Sequence, residues 1–305
     1  MVTAYTIPCL SLRQIAQSGQ CFRMTPLSQE ELPEGTDTGY RIISQGLCLK
    51  IWQTREQLFF ECPEENLEFW LSYFDYETDY QGILASVSQK DSYLTAAAQA
   101  GRGIRILRQD PWEMIITFVI SQQKTIPKIK ELVEALCRRY GTPVTALPST
   151  ENQEPLSALW GFPSPKELAS ASLEELQSLK LGYRAKYIYK LSQDAASGIL
   201  DLSALKTMCY KDAMEYLCSL YGIGRKVANC VCLFGLHHVE AFPVDTWIEK
   251  ILLEQYYTKR RYGRIPKARL YDKIIADHFG QYEGCAGIMQ QYIFHFERTI
   301  RSGKE

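Results

Sequence analysis

Leu220 to Trp247, LYGIGRKVANCVCLFGLHHVEAFPVDTW, is the stretch on which the reading of the chain turns. Just before it, Lys211 to Leu220 carries Met214, Leu217 and Cys218 at the spacing of one helix face. Gly222-Ile223-Gly224 interrupts that helix, and Lys226 to Leu236 is apolar almost all round, the pattern of a buried helix. Two helices joined by G-x-G make a tight hairpin. Glycine permits the bend and lets backbone N–H groups approach a phosphate, at a helix start that carries partial positive charge. Ile223 is placed to plug the two helices together. Further on, Pro243-Val244-Asp245 puts a carboxylate at the N-cap position of another helix.

Lys226 is a basic residue at the entrance of an otherwise apolar helix, and Asp245 returns a carboxylate to the same region. An ordinary lysine is protonated at neutral pH, with only roughly one in a few thousand neutral. Desolvation and a helix N-terminus both favour the neutral amine, which can attack an electrophilic carbon and hold it as a Schiff base. Taken singly, such residues read as a surface lysine and a helix cap. Taken together, G-x-G-x-K, the apolar helix and P-V-D point to a nucleophile and its assisting carboxylate.

These residues resemble the helix-hairpin-helix DNA glycosylase superfamily, and within it the 8-oxoguanine DNA glycosylase branch. The resemblance implies that Lys226 is the nucleophile and that Asp245 assists it. It implies contact between DNA phosphate and Gly222, Gly224 and Trp247. Some members of the superfamily hold an iron–sulfur cluster on cysteines after the PVD helix. Here only Cys285 lies beyond it, so no cluster, metal or other cofactor is expected.

The resemblance extends from Gly19 to Phe294. Ser18-Gly19-Gln20-Cys21-Phe22-Arg23 resembles the family's SGQ-x-FR segment, in which the glycine carbonyl accepts the ring N–H that distinguishes oxidised from normal guanine. Ala286 to Phe294 resembles its AG-x-x-Q-x-x-x-F helix. Gln290 and Phe294, four apart and hence on one face, would hold and stack on the extruded base, with Cys230 as the opposite wall. Leu179 to Tyr187 matches LGYRA-x-Y, assigning Tyr183 as a wedge and Arg184 as a contact to the base opposite the lesion. Where the family has asparagines followed by I-x-R, this chain has Gln123, Lys124 and Lys128, and opposite-base selectivity stays open there.

The 305 residues carry a formal net charge of −1, so any DNA footprint must be local. The densest basic run is Lys259-Arg260-Arg261, Arg264, Lys267 and Arg269, which is either a solvated face or a phosphate contact. Ten cysteines with no C-x-x-C pair fit reduced thiols better than a disulfide framework. No signal peptide or membrane span is read from the sequence. The protein is expected in the cytoplasm, nucleoid-associated if bacterial, or in the nucleus if eukaryotic.

Residues 1–92 read as an antiparallel β domain with a flanking helix, with strands at Tyr40–Ile43 and Cys48–Trp52 around Gln45-Gly46. Asn66 to Tyr80 opens the helical part. Asp110-Pro111-Trp112-Glu113, Ser164-Pro165-Lys166-Glu167 and Ser172-Leu173-Glu174-Glu175 read as capped helix starts. Residues 93–305 read as a helical region of two lobes with the lesion cleft between them. The expected class is α+β: a mainly helical helix-hairpin-helix glycosylase fold behind an N-terminal antiparallel sheet. The expected activity is excision of 8-oxoguanine from double-stranded DNA by a monomer, followed by β-elimination. A glycosylase for an alkylated or pyrimidine base, or a non-catalytic DNA-binding protein, remains an alternative.

Overall fold

The computed structural model describes residues 1–36, 38–55, 57–144 and 159–302. Five strands, β1 (Val2–Tyr5), β2 (Met24–Pro26), β3 (Thr38–Ser44), β4 (Leu47–Gln53) and β5 (Leu58–Glu61), form one antiparallel sheet in the order β1-β5-β4-β3-β2. Strands β3 and β4 are joined by Gln45 and Gly46, with φ of 49° and 76°. Two left-handed residues give the hairpin turn whose twist suits paired strands. Both strands anticipated around this turn are present. Ile42, Leu49, Ile51 and Phe60 are fully buried and share a core with Leu12 and Ile15 of the Leu12–Gln17 helix and with Trp70 and Phe74.

The larger core belongs to the helices. At its centre the helix Pro111–Ser121 is buried at every residue from Pro111 to Ile120. Its start departs in one respect from the expected pattern. Asp110 caps it, accepting the Glu113 N–H at 2.9 Å, but Glu113 does not complete a capping box. Its side chain turns inward, where burial pushes the carboxyl up to about 7 against the opposing pull of the Arg23 guanidinium. Ser164 and Ser172 each form both halves of the box, because Glu167 and Glu175 stay at the surface.

The stretch Asn66 to Tyr80 opens the helical part, with a break inside it. A helix runs Leu67–Tyr73 and another Tyr80–Ala85, with Asp75 between them at a φ of 52°. The break sets the Asp75 carboxylate at a junction of three elements. It accepts hydrogen bonds from Tyr80 Oη at 3.1 Å and Arg108 Nε at 2.9 Å, and His237 Nε2 lies 3.2 Å away. Arg105 Nη1 donates to the Asp75 carbonyl at 2.6 Å. Burial works against ionisation here, but the bonds and charges of His237 and Arg108 outweigh it and bring the carboxyl down to about 2. His237 follows the hairpin's second helix, so this cluster fastens the sheet-bearing part of the chain to the element that carries Lys226.

A folded-state value below the ordinary 3.8 means that Asp75 contributes stability above about pH 4, and that the contribution is lost as pH falls toward 2. Asp75→Asn is expected to cost about 1.5–3 kcal/mol at pH 7, since it removes a buried carboxylate that accepts from Tyr80 and Arg108, while the half-exposed Arg108 stays solvated. Urea unfolding of both proteins at pH 7 and pH 3 checks this. The gap between them should narrow at the lower pH.

Candidate nucleophile site and base pocket

The hairpin is formed by Tyr210–Ser219 and Arg225–Phe234. Ala213 and Leu217 supply the buried face of its first helix, whereas Cys218, anticipated there, is exposed. The two glycines do different work. Gly222 has a φ of +88°, and a Cβ there would lie 2.3 Å from Cγ of Tyr187, so neither conformation nor space admits another residue. A Cβ on Gly224 would meet nothing. That glycine leaves the N-terminal end of the second helix uncovered, where an anion can approach. Ile223 is buried between them, as its position suggested.

Lys226 is half-buried in the first turn of that helix. Its Nζ lies 3.5 Å from Ser121 Oγ and 5.3 Å from the centroid of the Phe118 ring. The Ser121 hydroxyl donates to the Phe118 carbonyl at 2.7 Å, so it presents an oxygen lone pair to the amine. Phe118 is fixed in turn by stacking on Phe234 and by an edge contact from Phe22. Cys230 is buried one turn further on. Burial pushes its thiol up, the Lys226 amine opposes that, and the Asp245 carboxylate adds to it. Lys226, Cys230 and Asp245 therefore share one electrostatic neighbourhood.

Asp245 is the N-cap of Thr246–Ile251, and its Oδ1 accepts the N–H groups of Trp247 at 3.0 Å and Ile248 at 2.9 Å. Trp247 is exposed. The loop leading into Asp245 also seats the C-terminal helix Ala286–Ser302. Gly287 N–H donates to the Val239 carbonyl at 2.8 Å, and a Cβ on Gly287 would lie 2.3 Å from the Ala241 oxygen. The same helix carries Gln290 and Phe294. Gln290 is buried, its Oε1 accepting from Gln291 Nε2 at 2.8 Å. Gly19 arrives from the other end of the chain with a φ of +80°. A Cβ there would lie 3.4 Å from Phe294 Cε1 and 3.3 Å from Arg298 Nη1. Arg298 covers the Phe294 ring at 5.5 Å and donates to the Gln17 carbonyl at 3.1 Å. Burial lowers its guanidinium, with Asp245 acting in the opposite sense.

The residues anticipated to read the opposite base lie beside this cluster. Ser121 to Lys124 form a type II turn: Gln122 has φ −54° and ψ 121°, Gln123 has φ 51°, and Lys124 N–H reaches the Ser121 carbonyl at 3.2 Å. Gln123 is exposed and Lys124 half-buried, while Lys128 pairs with Glu131 at 2.5 Å on the next helix, Ile126–Tyr140. Tyr183 is exposed, with the Arg184 guanidinium 4.4 Å from its ring centroid. Arg184 itself is buried and is engaged by the backbone. Its Nε donates to the Gln122 carbonyl at 2.9 Å, Nη2 donates to the same oxygen, and Nη1 donates to the Leu181 carbonyl at 3.2 Å. In the basic run, Lys259, Arg260, Arg264, Lys267 and Arg269 are exposed, and Arg261 pairs with Asp277.

Three residues of the site escaped the sequence reading. Ser121 and Gln122 look like an ordinary polar helix end, and only the fold brings them to Lys226 and Gly222. Arg298 stands four residues after Phe294, so the helical period that paired Gln290 with Phe294 could have included it.

Among known families, the 8-oxoguanine DNA glycosylase N-terminal domain matches residues 4–115, and the HhH-GPD superfamily base excision DNA repair protein matches residues 116–271. The Saccharomyces cerevisiae N-glycosylase/DNA lyase is 33% identical over 66% of this chain, a match that spans 59% of the yeast protein. A probable N-glycosylase/DNA lyase of Methanothermobacter thermautotrophicus is 30% identical over 82% of this chain and 80% of its own length. The structure of the Clostridium acetobutylicum 8-oxoguanine glycosylase/lyase, solved with double-stranded DNA containing cytosine opposite 8-oxoG, superposes with a TM-score of 0.82. It covers 99% of this chain and 98% of that one at 26% identity.

The left-handed residue of a type II turn favours glycine or asparagine, and a glutamine there is strained by about 1 kcal/mol. Gln123→Asn is therefore expected to raise the thermal midpoint by about 1–2 degrees, read by calorimetry on the free protein.

Proposed function

This chain belongs to the HhH-GPD superfamily of base excision DNA repair proteins and carries the N-terminal domain of 8-oxoguanine DNA glycosylases, and from that premise we propose that it excises 8-oxoguanine from duplex DNA and then nicks the strand. The observation that carries this reading is the meeting of Gly19 with Phe294 and Arg298 beside Asp245, Cys230 and Lys226. Gly19 and the Phe294 ring are the groups expected to receive a flat purine, and they meet here with the Arg298 guanidinium over the ring. The Lys226 amine, beside Cys230, suits attack on the attached sugar.

In this scheme the duplex lies across the uncovered helix start at Gly224 and the exposed Trp247. The lesion leaves the stack at a cost of a few kcal/mol, and Tyr183 enters the space beside its former partner. The Lys226 amine, freed of its proton, attacks C1′ of the sugar while the bond from C1′ to the base breaks. The base leaves with the electron pair and takes up a proton. Asp245, held by its two amide bonds, stabilises the positive charge that develops on the sugar. Ring opening gives the Schiff base. Loss of a proton from C2′ then expels the 3′ phosphate oxygen and breaks the strand. These steps use only groups of the chain and the DNA, and a single protomer holds all of them.

Borohydride should trap a covalent adduct between the protein and an 8-oxoguanine duplex. Lys226→Gln should abolish trapping yet still bind the duplex, and Asp245→Asn should slow base release far more than it lowers the melting temperature. Retained trapping by Lys226→Gln would refute the assignment of the nucleophile. Duplexes carrying alkylated purines or oxidised pyrimidines, assayed in parallel, decide the substrate class.

Gln123 and Lys124 present a flexible amide and a donor-only ammonium where the family has short amides, so discrimination of the opposite base should be relaxed by roughly tenfold. The charge of Lys124 should also steepen the loss of binding with salt. Gln123→Asn combined with Lys124→Asn is expected to restore preference for cytosine. Excision rates opposite each of the four bases, with a salt titration of binding, check both effects.

A further inference from the structure

Three consecutive residues face three different ways at the end of the Pro111–Ser121 helix. Ser121 Oγ meets Lys226 Nζ at 3.5 Å, Gln122 Nε2 donates to the Gly222 carbonyl at 3.0 Å, and the exposed Gln123 follows in the left-handed conformation. Gly222 and Lys226 belong to one hairpin. Gln122 is thus the residue that joins the turn bearing Gln123 and Lys124 to the hairpin bearing the nucleophile.

A type II turn differs from a type I turn mainly by rotation of its central peptide, here the bond from Gln122 to Gln123. The type I form would relieve Gln123 of its positive φ. Arg184 opposes that rotation, because Nε and Nη2 both donate to the carbonyl of this same peptide. The Gln122 side chain opposes it from the other direction by tying the turn to Gly222. The observed type II form is thus held by Arg184 through its central peptide and tied to the hairpin by Gln122. Contacts made by Gln123 and Lys124 can bias whether it is held.

Resting on the reading that this turn fills the gap opposite the lesion, we propose that Gln122 is a specificity-determining positioning residue. It passes the state of the gap to the hairpin, so that the opposite base sets the rate of attack by Lys226 and not only the strength of binding. The hydrogen bond from Gln122 to Gly222 transmits the difference.

The test is single-turnover release of 8-oxoguanine opposite each of the four bases, together with the duplex dissociation constants, for the parent, Gln122→Met and Gln122→Ser. Methionine keeps the length and loses the donor; serine keeps a donor that cannot reach. Both variants should release the lesion opposite cytosine about tenfold more slowly, the loss expected for one hydrogen bond. Their dissociation constants should stay within about threefold, and the ratio between cytosine and the other three bases should shrink. Unchanged ratios in both variants, or an equal loss of rate against all four bases, would overturn the inference while leaving the proposed activity intact. A parent protein that releases no 8-oxoguanine opposite any base would overturn both.

Discussion

Tyr187 occupies the space that a side chain at position 222 would need, and that close approach sets the position of the whole hairpin. The tyrosine stands on the Arg184–Ser197 helix, whose first residue grips the Gln122 carbonyl. One short segment, Tyr183 to Tyr187, therefore fixes both the turn after Ser121 and the glycine four residues before Lys226. Edge contacts from Tyr183 to Tyr187, and from Tyr187 to Tyr221, extend the same fixation to the surface. Among the described residues, the amine lies against the Ser121 hydroxyl oxygen, the Cys230 thiol and the face of the Phe118 ring, so packing places it.

The carboxylate is placed differently. Both amide bonds of the Asp245 cap fall on Oδ1, so the direction of the second oxygen is set without being spent on the cap. A residue used in this way can stabilise charge without first giving up its structural bonds, which keeps reorganisation small when the charge appears.

Much of this was legible in the sequence, for reasons that differ from place to place. The hairpin could be read because its rules are local: an apolar helix, a glycine pair and a capping carboxylate each declare themselves within a few residues. The strands around Gln45-Gly46 were legible for the same reason. The capped start at Asp110 was legible, but not the inward turn of Glu113, because the core that buries it comes from distant parts of the chain. The break at Asp75 had no local signal, since the cluster around it draws on Arg105, Arg108 and His237. Arg184 shows the limit of carrying a role by resemblance. The motif located the residue, but only the fold showed that its guanidinium braces the Gln122 carbonyl. Ser121 and Gln122 had no signal of their own, as their partners lie about a hundred residues away.

The proposed base pocket has its two walls at opposite ends of the chain. The bond from Arg298 to the Gln17 carbonyl spans 281 residues, and Gly19 meets Phe294 across nearly the same distance in sequence. Contacts of that range form late, because the loop they close is nearly the whole chain. During synthesis the hairpin with Lys226 is made before the helix bearing Phe294. At that stage Lys226 has Cys230 beside it but not yet the side formed by Phe294 and Arg298. Order of assembly therefore leaves the contacts of Phe294 and Arg298 with Gly19 and Gln17 among the last of this region to form.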